Sequence, residues 1–146
     1  MKNFNLFVFV LLCGVLSLNI NAAKPTLDPV MTSVLDSYLK IHGALAADTT
    51  QGVSEAAQTI TKTAPTTQLK KASLTLSKEK DLKTMRERFK DLSEHMVKWA
   101  RIQKPADIQI TFCSMANARW LQKTGSVKNP YYGKEMLECG EIEKGK

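Results

Sequence analysis

Large apolar residues recur at helical spacing in two long segments of the chain. In residues 27–48 they advance by alternating steps of four and three, at Met31, Leu35, Tyr38, His42 and Leu45. A later segment repeats the pattern at Leu82, Met85, Phe89, Leu92, Met96 and Trp99. Because residues three and four apart share one side of a helix, each series predicts an amphipathic α-helix.

Polar residues mark where these helices begin. Asp28 is placed to cap the first helix, and Pro29 suits its first position. Asp48, with Gln51 as a capping-box partner, predicts the start of a second helix. Ser77 predicts the start of the last one. The apolar face of the second helix is predicted to consist of Val53, Ala56, Ala57 and Ile60.

The segment between the second and last helices breaks the pattern. Residues 62–76 contain Pro65 and many Ser and Thr residues, which indicates a loop with at most a short helical turn from Leu69 to Leu74. The resulting prediction is a mainly α fold, an antiparallel bundle of three helices, or four if this segment is helical.

After Pro105 the pattern changes to that of a small β unit. "DIQITFCSM" alternates and predicts a strand, and "RWLQ" predicts another that ends at the turn "KTGS". "KNPYYGKEM" is rich in turn residues, and "MLECGEI" predicts a short helical turn or strand. Residues 105–146 are too few for their own core, so we expect them to pack on a helical bundle at 27–104 within one domain, 23–146.

The N-terminus is typical of a secretory signal peptide. Lys2 precedes an apolar run from Leu6 to Leu18, and small residues follow up to Ala22. We therefore predict a cleaved signal at residues 1–22 and a periplasmic or secreted protein. No other apolar stretch is long enough to span a bilayer, so no stable membrane insertion is expected after cleavage.

Charge and motifs exclude several function classes. The chain has a net charge of +7, but charges of both signs alternate through residues 77–98, which is typical of a solvated helix face. Aromatic residues do not interleave with a basic stripe, so we do not expect nucleic-acid binding. Without a HExxH motif, a phosphate-binding loop, a Ser/His/Asp arrangement or a CxxC pair, the sequence does not favour an enzyme.

The sulfur-containing residues of the tail are the candidate chemistry. Cys113 and Met115 would project to one side if residues 108–115 form a strand, and Met136 and Cys139 would share a face if 135–139 form a helical turn. Thiolates and thioethers are soft donors that suit Cu(I) and Ag(I).

Simpler interpretations remain open beside the metal site. An even cysteine pair in an exported protein is most simply a disulfide, and methionines often only fill a core. His42, on the stripe of the first helix, and His95, beside the stripe of the last, are further candidate ligands. Both are also ordinary positions for bundle histidines.

The tail also resembles a bacterial domain family of unknown function. The shared positions are Cys-x-Met at 113–115, Trp-Leu at 120–121, Asn-Pro-Tyr-Tyr-Gly at 129–133 and Met-Leu-x-Cys-Gly at 136–140. "YLKIHGALAAD" and "RFKDLSEHM" are similar to the family's helical segments. Ser114 stands where the family has a proline, so the backbone between the two sulfurs is less restricted.

Members of that family occur as small exported proteins and fused to periplasmic adaptor subunits of copper/silver efflux pumps. The resemblance implies a helical bundle with a short C-terminal Cys/Met unit and an association with copper or silver handling. Together with the soft donors of the tail, it leads us to expect a non-enzymatic periplasmic protein that binds or buffers Cu(I) or Ag(I) and is linked to heavy-metal efflux. Cys113 and Cys139 would be its primary ligands, with Met115 and Met136 in support. The alternative is a disulfide-stapled helical module that binds an envelope or efflux protein without metal.

Overall fold

The structure is a computed structural model that describes residues 27–144. The expected signal peptide and its cleavage site lie outside the described residues. The described chain forms α1 (Pro29–Ala46), α2 (Val53–Thr63), α3 (Thr67–Lys78), α4 (Leu82–Gln103), β1 (Ile108–Cys113), β2 (Ala118–Lys123), a short 3-10 turn (Gly133–Glu135) and β3 (Glu141–Ile142). No helix in this range is long and apolar enough to cross a membrane.

The two predicted long helices are confirmed. The Asp28 carboxylate accepts the Val30 backbone N–H at 2.6 Å, and Pro29 is the first residue of α1. All five residues of the first stripe are buried. The central residues of the α4 stripe are buried as well, whereas Leu82 and Trp99 at its ends are half-buried. The mainly α class with a small C-terminal β unit is therefore confirmed, and the antiparallel bundle stays a prediction.

The predicted start of α2 is wrong. Asp48 does not cap a helix, because it has a φ of 60° and its carboxylate pairs with Arg86 on α4. The helix begins at Val53, after Gly52, without a side-chain cap. Its apolar face is buried as predicted.

The predicted loop at residues 62–76 is wrong, because most of it belongs to α3, and the four-helix alternative left open for this segment is confirmed. Thr66 follows Pro65 and accepts the Leu69 backbone N–H at 3.3 Å, which caps the helix. Leu69, Ala72 and Leu76 are buried at helical spacing, so tertiary packing offsets the weak helix propensity of Thr and Ser.

The start of α4 is displaced from the prediction. Ser77 lies inside α3, where its hydroxyl donates to the Leu74 carbonyl at 2.9 Å. The cap is Asp81, whose carboxylate accepts the Thr84 backbone N–H at 2.9 Å.

The helices pack in chain order, α1 on α2, α2 on α3 and α3 on α4, and β2 packs on α4 and α1. The antiparallel sheet has the strand order β2-β1-β3.

Tyr38 joins the helices to the sheet. Its buried hydroxyl accepts the Leu121 backbone N–H at 3.1 Å and is hydrogen-bonded to the Ser93 hydroxyl at 2.7 Å. One side chain thus holds α1, α4 and β2 together.

Arg86 fixes the loop that follows β2. Its guanidinium donates to the Pro130 and Leu45 carbonyls, both at 2.9 Å, and to the Asp48 carboxylate. The backbone of Gly133 passes close to the Asp48 and Arg86 side chains and has a φ of +56°. A Cβ built on Gly133 would lie 1.8 Å from Asp48 Oδ1. The close approach and the left-handed backbone both require glycine at this position.

We expect Gly133→Ala to lower the free energy of unfolding by about 1–3 kcal/mol, because it forces a left-handed non-glycine residue against Asp48. The matched control is Gly43→Ala in α1, where a Cβ meets nothing within 4 Å. The control should stabilise the protein by up to about 1 kcal/mol through helix propensity. Urea denaturation measures both, and equal effects would contradict the role given to Gly133.

Candidate functional site

Two cysteines that lie 26 residues apart in sequence meet in the C-terminal sheet. The Sγ atoms of Cys113 and Cys139 are 3.2 Å apart and form a hydrogen-bonded pair of free thiols. Cys113 is the last residue of β1, and Cys139 comes two residues before β3. The short antiparallel pairing of β3 with β1, which places Glu141 opposite Phe112, brings the two thiols together.

A buried carboxamide organises the loop that carries Cys139. Asn129 donates from its side chain to the Cys139 carbonyl at 2.7 Å, and its side-chain oxygen accepts the backbone N–H groups of Tyr131 and Tyr132. Its own backbone N–H donates to the Leu137 carbonyl at 2.7 Å. Since Asn129 is fully buried and well satisfied, it fixes both ends of the loop.

The two thiols differ in acidity. Burial raises the pKa of Cys113, but hydrogen bonds from the Ala116 N–H, the Cys139 thiol and the Asn129 side chain outweigh it, so the pKa is lowered overall. The pKa of Cys139 is raised, chiefly because its thiol proton is held by Cys113. Cys113 is therefore the thiol that ionises first as pH rises, and the Cys139 thiol then donates its proton to the Cys113 sulfur.

Met115 lies outside β1, so the prediction that residues 108–115 form a strand with Cys113 and Met115 on one side is wrong. Strand β1 ends at Cys113, and residues 114–117 turn into β2, with the Asn117 N–H donating to the Ser114 carbonyl at 3.1 Å. The side chain of Met115 is 61 % exposed. Its carbonyl accepts the Tyr132 hydroxyl at 3.3 Å.

Met136 and Cys139 do not lie on a helical turn, which corrects the second local prediction. The 3-10 turn ends at Glu135, and a separate turn follows in which the Cys139 N–H donates to the Met136 carbonyl at 3.0 Å. Met136 is half-buried. Met136 is the first residue of this turn, and Cys139 is the last.

The candidate histidines have other partners. The Nε2 of buried His42 donates to the Lys128 carbonyl at 2.8 Å, and burial lowers the pKa of this imidazole. His95 is half-buried on α4, with Nε2 3.6 Å from Asp91 Oδ1. Within residues 27–144, no three His, Cys, Asp or Glu side chains are grouped to hold a metal ion. The thiol pair is therefore the soft-donor centre that the fold assembles.

Sequence reasoning missed the supporting role of Asn129. The signal was present, because an Asn before Pro is typical of a turn in which the side chain bonds to nearby backbone groups. Its link to the Cys139 carbonyl depends on the loop closing back on itself and is not a local feature.

The chain belongs to a family of proteins of unknown function, DUF3347. The model of that family matches residues 34–107, slightly more than half of the 146 residues. The match extends from within α1 to the turn before β1, so the thiol pair lies beyond it. No curated protein and no solved structure matches the chain.

The thiol asymmetry predicts reciprocal effects of two single substitutions. Cys139→Ala removes a donor to Cys113, so the pKa of Cys113 should rise. Cys113→Ala removes the neighbour that holds the Cys139 proton, so the pKa of Cys139 should fall. Thiolate absorbance followed against pH measures both. If each variant keeps the pKa that its thiol has in the intact pair, the pair is not coupled.

The buried imidazole predicts a pH dependence of stability. Because the folded pKa of His42 lies below 6.5, the unfolded chain binds the proton first as pH falls. Stability should therefore decrease as pH falls below 6.5, down to the folded pKa. His42→Gln should remove this contribution in urea denaturation at a series of pH values. His95→Gln is the control for a general effect of losing an imidazole. If the free energy of unfolding of His42→Gln depends on pH as steeply as that of the native protein, the pH dependence does not come from His42.

Proposed function

We propose that this protein binds or buffers Cu(I) or Ag(I) in the periplasm, with Cys113 and Cys139 as the primary ligands. The observation that carries the proposal is the pair of thiols at 3.2 Å, one of which has a lowered pKa. Thiolate sulfur is the donor that monovalent copper and silver prefer, and the pair offers two such atoms from a fixed backbone.

The cation would take the place of the proton that the pair shares. Cys113 ionises before Cys139, so binding of one cation to both sulfurs releases the proton of Cys139 and any proton that Cys113 still carries. The product is a metal bis-thiolate, and its apparent affinity increases with pH until Cys139 is ionised without metal. The sulfurs must separate to admit an ion between them, and the half-buried Cys139 is the one free to move.

The supporting donors are unequal. Met136 lies next to the Cys139 turn and is the stronger candidate for a thioether ligand. Met115 is largely exposed, so it would reach the ion only if the turn at 114–117 moved. His42 is a weak candidate, because its Nε2 is already engaged with Lys128.

The resemblance of the tail to domains fused to adaptor subunits of copper/silver efflux pumps supports a place in heavy-metal efflux. We propose no catalytic step, and the partner would be an efflux or other envelope protein that delivers or receives the ion. The predicted signal peptide supports the periplasmic location.

A second candidate function rests on the same contact. Two thiols at 3.2 Å are placed for oxidation to a disulfide, in which a disulfide-bearing partner takes up their two electrons and two protons by thiol–disulfide exchange and the sulfurs approach to about 2.05 Å. In that form the pair would stabilise the C-terminal unit by about 3–4 kcal/mol on the chain-entropy model, and the protein would be a stapled helical module that binds a partner without metal.

A Cu(I) competition titration of the reduced protein against a chromophoric chelator separates the two candidates. We expect the native protein to bind one Cu(I) per chain. The Cys113→Ser/Cys139→Ser variant should bind Cu(I) with an affinity lower by roughly 100-fold or more, because no thiolate remains. Met136→Leu should weaken binding by roughly tenfold, which is the range for supporting ligands. Met115→Leu is the matched control and should change affinity less.

Circular dichroism must first show that each variant is folded. If folded and reduced protein takes no Cu(I) from the chelator, the metal function is wrong, and the thiol pair is structural.

A further inference from the structure

A groove of about 820 Å³ lies between α1 and the segment that follows β2. Its floor is apolar and is formed by half-buried Leu39 and Leu137 together with small residues, namely Gly43, Ala46 and Ala47. A volume of this size and an apolar lining are typical of sites that receive a ligand or a partner's side chains.

The rim of the groove is cationic. Lys40, Lys123, Lys128 and Lys134 line it, and all four are exposed. Within residues 27–144 none of these lysines forms a salt bridge, and Asp36 is the one acidic residue of the lining. The groove therefore combines an apolar floor with a net positive charge, since four lysines line it and Asp36 and the nearby Asp48 offset only part of their charge.

Gly43 keeps the floor open. A glycine inside a helix is less stable than alanine, yet a Cβ at Gly43 would meet nothing within 4 Å. Packing within the chain therefore does not require a glycine there, whereas any larger side chain would occupy the groove.

Several occupants do not fit this surface. A second copy of the chain carries the same large positive charge, with +7 in total, and would be repelled. Single-stranded nucleic acid needs aromatic side chains for stacking, and none lines the groove. A bilayer cannot reach a concave floor, and the exposed large apolar side chains that could insert into one lie elsewhere among the described residues, at Val30, Leu74, Ile102, Met115 and Ile142.

We propose that this groove is the docking site for an acidic segment of a protein partner. An apolar side chain of the segment packs on Leu39 and Leu137, and its carboxylates lie between the rim lysines. Charge complementarity of this kind selects the partner and speeds association.

The groove and the thiol pair share one loop. Lys128 and Leu137 line the groove, and Asn129, beside Lys128, is hydrogen-bonded to the carbonyls of Leu137 and Cys139. A segment docked in the groove thus contacts the loop that positions Cys139. The docking inference does not require that the thiols bind a metal.

The test is fluorescence anisotropy with a labelled peptide of Glu and Leu residues, measured with the full exported protein. We expect saturable binding that is weakened by roughly tenfold or more in Lys123→Glu/Lys128→Glu/Lys134→Glu, through lost and reversed charge. Gly43→Phe should weaken binding to a similar degree by filling the floor. The matched control, Lys62→Glu/Lys70→Glu/Lys71→Glu, makes the same charge change at exposed positions outside the groove.

Four results would each overturn the inference. The first is no binding of the peptide. The second is equal weakening in the control triple variant, which means general charge attraction. The third is equal affinity for a peptide of Glu and Gly, which removes the role of the floor. The fourth is binding of phosphatidylglycerol vesicles, but not of the peptide, with the same lysine dependence, which makes the groove a membrane surface.

Discussion

The contact on which the rest of the structure depends is the hydroxyl of Tyr38, which joins α1, α4 and β2 at one fully buried point. The C-terminal sheet has three short strands, and its third contains two residues, so it cannot bury its inner face alone. Trp120 and Leu121 point to opposite faces of β2, and both are fully buried, with Trp120 packed edge-on against Tyr131 of the following loop. Because the Tyr38 hydroxyl is hydrogen-bonded to both Ser93 and Leu121, packing the sheet on the helices leaves this buried group paired and avoids the free-energy cost of an unpaired hydroxyl. Without it, β1 would have no fixed position from which to present Cys113.

The position of the thiol pair depends on the packing of the sheet on the helices and on a second buried polar group, the side chain of Asn129. Asn129 closes the loop behind Cys139, and the two-residue pairing of β3 with β1 completes the approach of the sulfurs. The same neighbourhood stabilises charge on Cys113, because hydrogen bonds supply what burial removes. A site with two sulfurs 3.2 Å apart, one of them with a lowered pKa, offers the donors that a soft monovalent cation prefers. The same pair can be oxidised to a disulfide, so under our proposal the redox state of the compartment would decide between the metal-binding and the disulfide form.

Local features were predictable from the sequence, and contacts between distant residues were not. The stripes of α1 and α4 and the Asp28 cap depend on neighbours within a turn or two, and all were confirmed. Asp48 was misassigned because its partner, Arg86, is 38 residues away and takes the carboxylate that a helix start would have used. Residues 67–78 were misassigned because burial of Leu69 and Leu76 outweighs the loop propensity of Thr and Ser. The thiol contact depends on a two-residue strand, which no periodicity reveals, and Met115 fell outside β1 because the strand ended sooner than its alternation suggested.

X-ray absorption at the copper edge tests the central claim most directly, since it reports the atoms bound to the metal. The protein is loaded with one equivalent of Cu(I) under reducing conditions and compared with the Cys113→Ser/Cys139→Ser variant. The account predicts a first shell of sulfur alone, which is lost in the variant. A first shell of nitrogen or oxygen in the native protein, or the same spectrum in the variant, would contradict it.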